Sequence, residues 1–187
     1  MAGQPPDRRG CAATRGRCPR PADRGAVTRF RRARAADLPA ILALLADDAL
    51  GAGREAPDDI APYQAAFAAI EADPAQLLAV ADDDERVVGT LQLTLIPGLA
   101  RAGALRGQIE AVRVARDRRG SGLGRAMMEW AIAECRDRGC ALVQLTSDRA
   151  RADAHRFYDG LGFTASHLGY KLDLRANPAA SPPPVVG

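Results

Sequence analysis

The sequence predicts a mixed α/β domain with its elements in the order β-α-α-β-β-β-α-β-α-β. Three observations lead to this prediction: two early stretches with helical spacing of apolar residues, a strand hairpin after them, and a return to alternating strand and helix in the second half. A chain of 187 residues is long enough for one such domain with a substantial core. The sequence contains no internal repeat, so we expect neither a solenoid nor a propeller.

The first half of the domain is predicted from apolar periodicity and proline positions. Asp37 is the expected cap of the first helix, Pro62 lies in the first turn of the second helix, and Pro74 ends that second helix. An acidic run over 82–85 separates two apolar stretches and predicts a hairpin. The predicted elements are a strand over 27–34, helices from Asp37 and over 59–73, and strands over 77–81 and 86–96.

The second half alternates strands with helices. The helix after the fourth strand has a broad apolar stripe, and Gly139 provides its stop signal. Arg125 and Glu129 are spaced to pair on its exposed side. The predicted elements are a strand over 107–114, a helix from about Gly122, a strand over 141–146, a short helix over 152–159 and a last strand over 163–174.

The two ends of the chain are expected to be tails outside the domain, which we predict over residues 25–175. Residues 1–24 contain six arginines, two aspartates and four prolines, so we expect a disordered basic tail. Residues 176–187 are rich in proline and form the second expected tail. No apolar run approaches the ~20 residues of a membrane span and no signal peptide is evident, so we expect a cytoplasmic protein.

The segment between the strand over 107–114 and the next helix carries the strongest chemical signal. It has glycine at every second position of residues 120–124 and arginines around them. A helix N-terminus presents unpartnered backbone N–H groups and the positive end of the helix dipole, and glycines let a bulky anion approach. The segment therefore predicts an anion-binding loop. Its glycines are Gly120, Gly122 and Gly124, and its arginines are Arg118, Arg119 and Arg125.

Two motifs in this element order resemble those of the GCN5-related N-acetyltransferase superfamily over about residues 25–175. Residues 119–124, RGSGLG, are similar to its acetyl-CoA signature Q/R-x-x-G-x-G/A. Residues 154–163, AHRFYDGLGF, are similar to its second signature, a short helix with a tyrosine that leads into Gly-Phe. The resemblance implies a mostly antiparallel mixed sheet flanked by helices.

The resemblance also implies that acetyl-CoA binds as the acetyl donor. Its pantetheine arm would lie along the fourth strand, and its pyrophosphate would lie on the backbone amides of the loop. Relatives have an asparagine seven residues before the tyrosine, where this chain has Arg151, so Arg151 or Ser147 would replace that contact. The implied cofactor-binding residues are Val112, Arg113, Val114, Arg119, Gly120, Ser121, Gly122, Leu123, Gly124, Arg125, Ser147, Arg151, Ala154 and Phe157.

Two residues are implied to be catalytic. Tyr158 resembles the tyrosine that protonates the leaving thiolate, and Glu110 is the candidate general base for an amine that is protonated at pH 7. Packing for Tyr158 and a solvent-facing position for Glu110 stay open as structural alternatives. Because alternate residues of a regular strand share a face, we expect Glu110 on the same side as Val112 and Val114.

Competing readings of the loop fit less well. A Rossmann site needs G-x-G-x-x-G and an acidic residue ~20 positions on, and a Walker loop needs a lysine after the glycines, but the only lysine is Lys171. Cys135 and Cys140 lack an evident His or Asp partner, so we expect free thiols rather than nucleophiles, and we expect no metal.

The predicted function is therefore acetyl transfer to the amine of a small molecule or protein. A non-catalytic acyl-CoA-sensing module of the same fold is the alternative. We expect no nucleic-acid or membrane partner, because the body of the chain is nearly neutral once the basic tail is set aside. A role of that tail in binding RNA, and a homodimeric assembly, stay open.

Overall fold

A computed structural model describes residues 28–47, 55–84 and 86–174, and its centre is a five-stranded sheet in the order β1-β2-β3-β4-β5. The first four strands pair antiparallel and β5 joins β4 in parallel, which confirms the mixed, mostly antiparallel sheet. The strands are β1 Arg29–Arg32, β2 Gln76–Asp82, β3 Val87–Ile96, β4 Arg106–Val114 and β5 Leu142–Leu145. The helices are α1 Leu38–Ala46, α2 Ala61–Ala72, α3 Leu123–Asp137 and α4 Ala152–Asp159.

Helices cover both faces of the sheet, and alternation along β2 divides the core between them. Leu78 and Val80 pack with α1 and α2 on one face, which we call the α1–α2 face. Leu77, Ala79 and Ala81 point to the other face, where they join α3 in the larger cluster. The strand is buried on both sides, as its nearly continuous apolar run indicates.

The start of α1 differs from the expected cap. Asp37 ends a short 3-10 turn over Ala35–Asp37, and its carboxylate accepts the N–H of Arg34 at 2.7 Å instead of capping α1. The same carboxylate accepts two hydrogen bonds from Arg31, at 2.7 and 3.0 Å. Hydrogen bonding to Arg31 lowers the pKa of Asp37, so this pairing persists into mildly acidic solution.

The last predicted strand is wrong, because residues 163–174 form neither strand nor helix. The apolar alternation is present in the sequence, yet Leu168, Tyr170, Leu172 and Leu174 are all exposed. Strand patterning describes which side chains would share a face, whereas a strand also needs an edge to pair with. Among the described residues, no strand pairs with this segment.

Some expectations fall on residues that the structure does not describe. The predicted tails, residues 1–24 and 176–187, lie outside the described part of the chain, as do Cys11 and Cys18. In the described part, none of the helices has the length and apolar content that a bilayer crossing requires. No group of three or more His, Cys, Asp or Glu side chains there is arranged to hold a metal ion.

Candidate active site

The predicted anion-binding loop leads into α3 through glycines with left-handed backbone. Gly120 has φ +76° and Gly122, at the N-cap of α3, has φ +88°, conformations that an L side chain rarely adopts. The first helical hydrogen bond runs from Ala126 N–H to Gly122 O at 3.1 Å. The N–H groups of Leu123, Gly124 and Arg125 precede it, so they have no acceptor within the helix and are available to an anion.

Gly124 brings three elements together at the start of α3. A Cβ at this position would lie 3.7 Å from Val114 Cγ2 at the end of β4 and 3.8 Å from Phe157 Cζ of α4. Arg125 Nη2 donates to Gly160 O at 2.9 Å, and its Nη1 lies 3.4 Å from Glu129, the predicted pair. The fold therefore brings together the two motifs, which are 30 residues apart in sequence.

The arginines of the loop are held by carboxylates rather than aimed at a ligand. Arg118 Nη1 donates to Asp83 Oδ2 at 2.7 Å, and Asp83 is only 5% exposed. Asp83 also accepts the N–H of Arg86 at 3.0 Å through Oδ1. Sequence reasoning missed this role, because Asp83 is one of several acidic residues in the hairpin turn and only its burial distinguishes it.

A second carboxylate, Asp47 at the end of α1, holds two more arginines. Its Oδ1 accepts from Arg116 at 2.9 Å and its Oδ2 accepts from Arg119 at 3.0 Å. Arg119 Nε also donates to Val114 O at 3.0 Å, so its side chain ties the loop to β4. The guanidinium of Arg119 is therefore structural, and its backbone N–H donates to Arg116 O at 3.3 Å, so the expected contact of Arg119 with the pyrophosphate stays a prediction. Sequence reasoning missed Asp47 as well.

A β-bulge divides β4 and overturns the expected alternation. Glu110 pairs with Gln92 and Arg113 pairs with Thr90, so two residues of β4, Ala111 and Val112, oppose one residue of β3. Ala111 has φ +52°, a left-handed conformation that strains a residue with a Cβ. The prediction that Glu110 shares a face with the two valines is therefore wrong.

The bulge assigns the two halves of β4 to different faces. Glu110 pairs with Gln92, which pairs in turn with Leu78, so Glu110 lies on the α1–α2 face and is exposed there. Val112 and Val114 pack against the α3 cluster instead. The carbonyls of both valines accept hydrogen bonds, Val112 O from Arg113 Nη1 at 3.0 Å and Val114 O from Arg119.

The second half of β4 also has one side without a strand. β5 pairs only with residues 106–109, so within the described chain no strand continues beside residues 110–114. This open side of β4 extends from Glu110 to the start of α3.

A row of polar side chains crosses the α1–α2 face beside Glu110, and sequence reasoning missed it. Gln76 Oε1 accepts from Thr94 Oγ1 at 2.8 Å and from Gln92 Nε2 at 3.0 Å, and Gln144 Nε2 donates to Gln108 Oε1 at 2.8 Å. We call these five residues the amide row. They are half-buried and come from four neighbouring strands, so only knowledge of the strand register could have revealed them.

Tyr158 lies on α4 close to the bulge. Its ring contacts Phe157 and Phe163 edge-on, with centroid distances of 5.3 and 6.0 Å. Burial raises the pKa of its hydroxyl, and the positive charges of Arg151 and Arg113 lower that pKa by a smaller amount. The hydroxyl therefore stays protonated at neutral pH and is suited to donate a proton.

Comparison with known proteins identifies the family to which this arrangement belongs. Residues 38–163 match the Acetyltransferase (GNAT) family. The chain belongs to this family. The match includes the loop, the bulge and Tyr158, and it confirms both the predicted resemblance and an acyltransferase with the GNAT fold.

The individual relatives of this GNAT acetyltransferase are named for different functions. A transcriptional regulator of Bacillus halodurans, known from its crystal structure, is 42% identical, with 78% of this chain matching 99% of that one at a TM-score of 0.76. The aminoalkylphosphonate N-acetyltransferase of Salmonella typhimurium is 32% identical over 62% of this chain and 75% of the relative. The glucosamine 6-phosphate N-acetyltransferase of Trypanosoma brucei brucei is 37% identical over 48% of this chain and 58% of the relative.

The other predicted site residues of this GNAT acetyltransferase lie around the start of α4. Arg151 and Ala154 line a shallow depression of about 320 Å³, and Ser147 is half-buried just after β5. His155 Nε2 lies 2.8 Å from Asp148 O, a contact that holds the turn before α4.

The described cysteines lie away from this site, at the end of α3. Cys135 is buried and forms no disulfide. Burial is the main cause that raises the pKa of its thiol to about 12. A thiol with so high a pKa is almost fully protonated at pH 7, which disfavours it as a nucleophile.

Proposed function

We propose that this protein is an acetyl-CoA-dependent N-acetyltransferase that acts on a primary amine of a small molecule or protein by direct attack in a ternary complex. The observation that supports this most is the open side of β4 over residues 110–114. The start of α3 lies at one end of that side, and Tyr158 lies near Arg113 within it. A thioester extended along β4 would have its phosphates at the loop and its sulfur near the tyrosine.

The residues present fit coenzyme A. A Cβ at Gly120 or Gly122 would meet nothing within 4 Å, so space is open beside the backbone where the pyrophosphate would lie. The amides of Leu123, Gly124 and Arg125 would donate to it, and the backbone of Val112 would lie beside the pantetheine arm. Acetyl-CoA, when bound, supplies an acetyl group activated as a thioester.

The proposed reaction is an aminolysis of that thioester. The amine nitrogen attacks the acetyl carbon, a C–N bond forms, and the C–S bond breaks to leave the thiol of coenzyme A. Tyr158 Oη gives its proton to the departing sulfur, which its raised pKa permits at neutral pH. Glu110 takes a proton from the attacking amine, directly or through water, and the two side chains recover their protonation states from solvent.

The acceptor is proposed to bind on the α1–α2 face, between Glu110 and the amide row. The amide groups of Gln92, Gln108 and Gln144 each have a donor or an acceptor that makes no hydrogen bond within the described part of the chain, and half-burial leaves these atoms within reach of a ligand. Such groups suit an acceptor with hydroxyl or amide substituents. Arg106, which lies on the same face as Gln108 and Glu110, adds a positive charge for an acceptor with an acidic group.

A panel of amines would test the proposal, with thiol release from acetyl-CoA as the readout and calorimetry as the measure of binding. The panel contains aminoalkylphosphonates, amino sugars with and without a 6-phosphate, and peptides with a free N-terminus, since two relatives are named for the first two classes. We expect binding of acetyl-CoA and amine-dependent thiol release. Absence of acetyl-CoA binding would contradict the proposal.

Glu110→Gln provides the matched test of the base, and Glu129→Gln, a glutamate on the exposed side of α3, provides the control. We expect the Glu110 variant to lose about 100-fold in kcat/KM for the amine, as is typical for removal of a general base. The loss should shrink as pH rises toward the pKa of the amine, because less deprotonation is then required. Binding of acetyl-CoA without thiol release across the panel would instead favour a sensing module. The relative from Bacillus halodurans is named a transcriptional regulator, not an acetyltransferase.

A further inference from the structure

Three polar side chains of different chemistry follow one another on one face of β4. Arg106, Gln108 and Glu110 occupy every second position of the strand before the bulge, so all three lie on the α1–α2 face. Gln108 pairs with Thr94 of β3 and with Gln144 of β5, so the amide row crosses β4 midway between the other two residues. This face therefore presents a guanidinium, a set of amides and a carboxylate in line.

Arg106 differs from the other arginines of the strands in its surroundings. Arg29 and Arg31 of β1 form ion pairs with aspartates. Arg32 and Arg113 donate to backbone carbonyls. Arg106 is half-buried, and within the described part of the chain it forms neither a hydrogen bond nor an ion pair. Because a guanidinium that is partly removed from water gains most from a charged acceptor, Arg106 is suited to bind an anion.

The guanidinium of Arg106 points away from Glu110. A Cβ at Gly98 would lie 4.0 Å from Arg106 Nη2 and 3.8 Å from Ala104 O, so the guanidinium lies beside the segment that precedes β4. Four residues of strand span about 13 Å, and a hydrogen bond at the Glu110 end takes up about 3 Å. An anion bound to Arg106 would therefore lie about 10 Å from an amine nitrogen bound to Glu110.

We propose that the acetyl acceptor is a short peptide with a free carboxylate about 10 Å from its amine nitrogen, an inference that rests on the proposed function. An extended chain advances at most about 3.3–3.6 Å per residue, so a tripeptide has about this length. Its N-terminal amine would lie at Glu110, its peptide groups over the amide row, and its carboxylate at Arg106. The planar fork of the guanidinium can donate two parallel hydrogen bonds to that carboxylate.

The amide row favours peptide groups over an aliphatic chain of the same length. A peptide group has one N–H donor and one carbonyl acceptor, and a glutamine side chain offers the complementary acceptor and donors. Gln108 Oε1 accepts from Gln144 Nε2 at 2.8 Å. Within the described residues, no protein hydrogen bond uses the NH₂ group of Gln108 or Oε1 of Gln144. An aliphatic acceptor would cover these groups without pairing them, which weakens binding.

The first experiment measures thiol release from acetyl-CoA with glycine peptides of one to five residues, each as the free acid and as the C-terminal amide. We expect kcat/KM to be highest for triglycine and about 20-fold lower for its amide, as for the loss of hydrogen bonds to a charged group. Glycyl-δ-aminovaleric acid has the length and the amine of triglycine but one peptide group fewer, and its kcat/KM should be about fivefold lower. Equal rates for acids and amides, or no dependence on length, would overturn the inference.

Arg106→Gln tests which group binds the carboxylate, and Arg136→Gln, at an exposed arginine near the end of α3, is the matched control. We expect Arg106→Gln to lower kcat/KM for triglycine about 20-fold, to the level of its amide. The rate with the amide should stay unchanged, which also shows that the variant is folded. Equal losses with acid and amide, or the same loss in the Arg136 variant, would contradict the assignment of Arg106.

The same assays separate failure of this inference from failure of the proposed function. Absence of thiol release with every peptide and every amine of the wider panel would overturn both. Thiol release with other amines but not with triglycine would overturn the peptide acceptor alone and leave the acetyltransferase in place.

Discussion

The loop before α3 and the amide row beside Glu110 lie on neighbouring parts of the same sheet, yet they use their side chains in opposite ways. In the loop, carboxylates hold Arg118 and Arg119, so the backbone amides are the groups left for a ligand. In the amide row, the hydrogen bonds run between uncharged side chains, each of which can still form a further hydrogen bond. The proposed cofactor side is thus built from fixed backbone, and the proposed acceptor side from side chains that another sequence could replace.

Tyr158 stands between these two regions and should give the largest effect. We expect Tyr158→Phe to lower kcat by about 10³-fold, the middle of the range for proton transfer, with little change in the KM for acetyl-CoA. Because burial raises the pKa of this acid, the wild-type rate should fall only above the ordinary tyrosine pKa of about 10. Steady-state rates from pH 6 to about 10.5, corrected for spontaneous hydrolysis, test both statements, and a normal kcat in the variant would exclude the role.

Asp83→Asn tests whether the loop depends on its carboxylates. The change removes the charge partner of Arg118 at a position that is only 5% exposed, so the loop should lose its fixed position. We expect the KM for acetyl-CoA to rise about tenfold, which corresponds to about 1.4 kcal/mol, while the KM for the amine stays constant. Asp117→Asn, an exposed partner of Arg86, is the control. An equal change in both KM values would show a general loss of structure instead.

Gln108→Ala tests the other side of the comparison. The substitution removes the acceptor of the Gln144 side chain and one polar group from the proposed acceptor surface. We expect the KM for the amine to rise about fivefold, as for the loss of one hydrogen bond of about 1 kcal/mol, with no change in the KM for acetyl-CoA. Thiol-release kinetics with each substrate varied in turn separate the two, and a selective effect on acetyl-CoA would argue against the division of roles.

The smallest expected effect separates two glycines of the loop. Gly122→Ala should destabilise the fold by about 1 kcal/mol because φ is +88° there. Gly124→Ala should leave stability nearly unchanged, since its Cβ would make an ordinary contact at 3.7 Å with Val114. Urea unfolding of both variants measures the difference. Equal destabilisation would mean that the left-handed N-cap is not the reason for glycine at residue 122.

Local patterns in the sequence were enough to predict the hairpin, the loop, α3 and the helix that carries Tyr158. Each of these depends on residues that are close in sequence, such as the glycines around residue 122 or the apolar stripe of α3. The carboxylate partners of the loop arginines, by contrast, are distant from them in sequence. Asp83 is 35 residues from Arg118 and Asp47 is 72 residues from Arg119, so only the fold makes them neighbours.

Besides these carboxylate partners, the pairing of the strands could not be predicted from the sequence. Glu110, Val112 and Val114 occupy every second position of the sequence, which predicts that they share one face of the strand. The bulge that separates them appears only when β4 is paired with β3. The amide row depends on the same register across four strands. Residues 163–174 show the converse, since their strand pattern is complete and no strand among the described residues pairs with them.

The bulge in β4 has a consequence for chain length. Ala111 is the extra residue, so removing it alone would leave Glu110 opposite Gln92 and Arg113 opposite Thr90. Removing a residue between 107 and 109 would instead shift the start of β4 by one position and turn Arg106 toward the opposite face of the sheet. When relatives with a shorter fourth strand are aligned to this chain, the gap therefore belongs at the bulge, at residue 111 or 112.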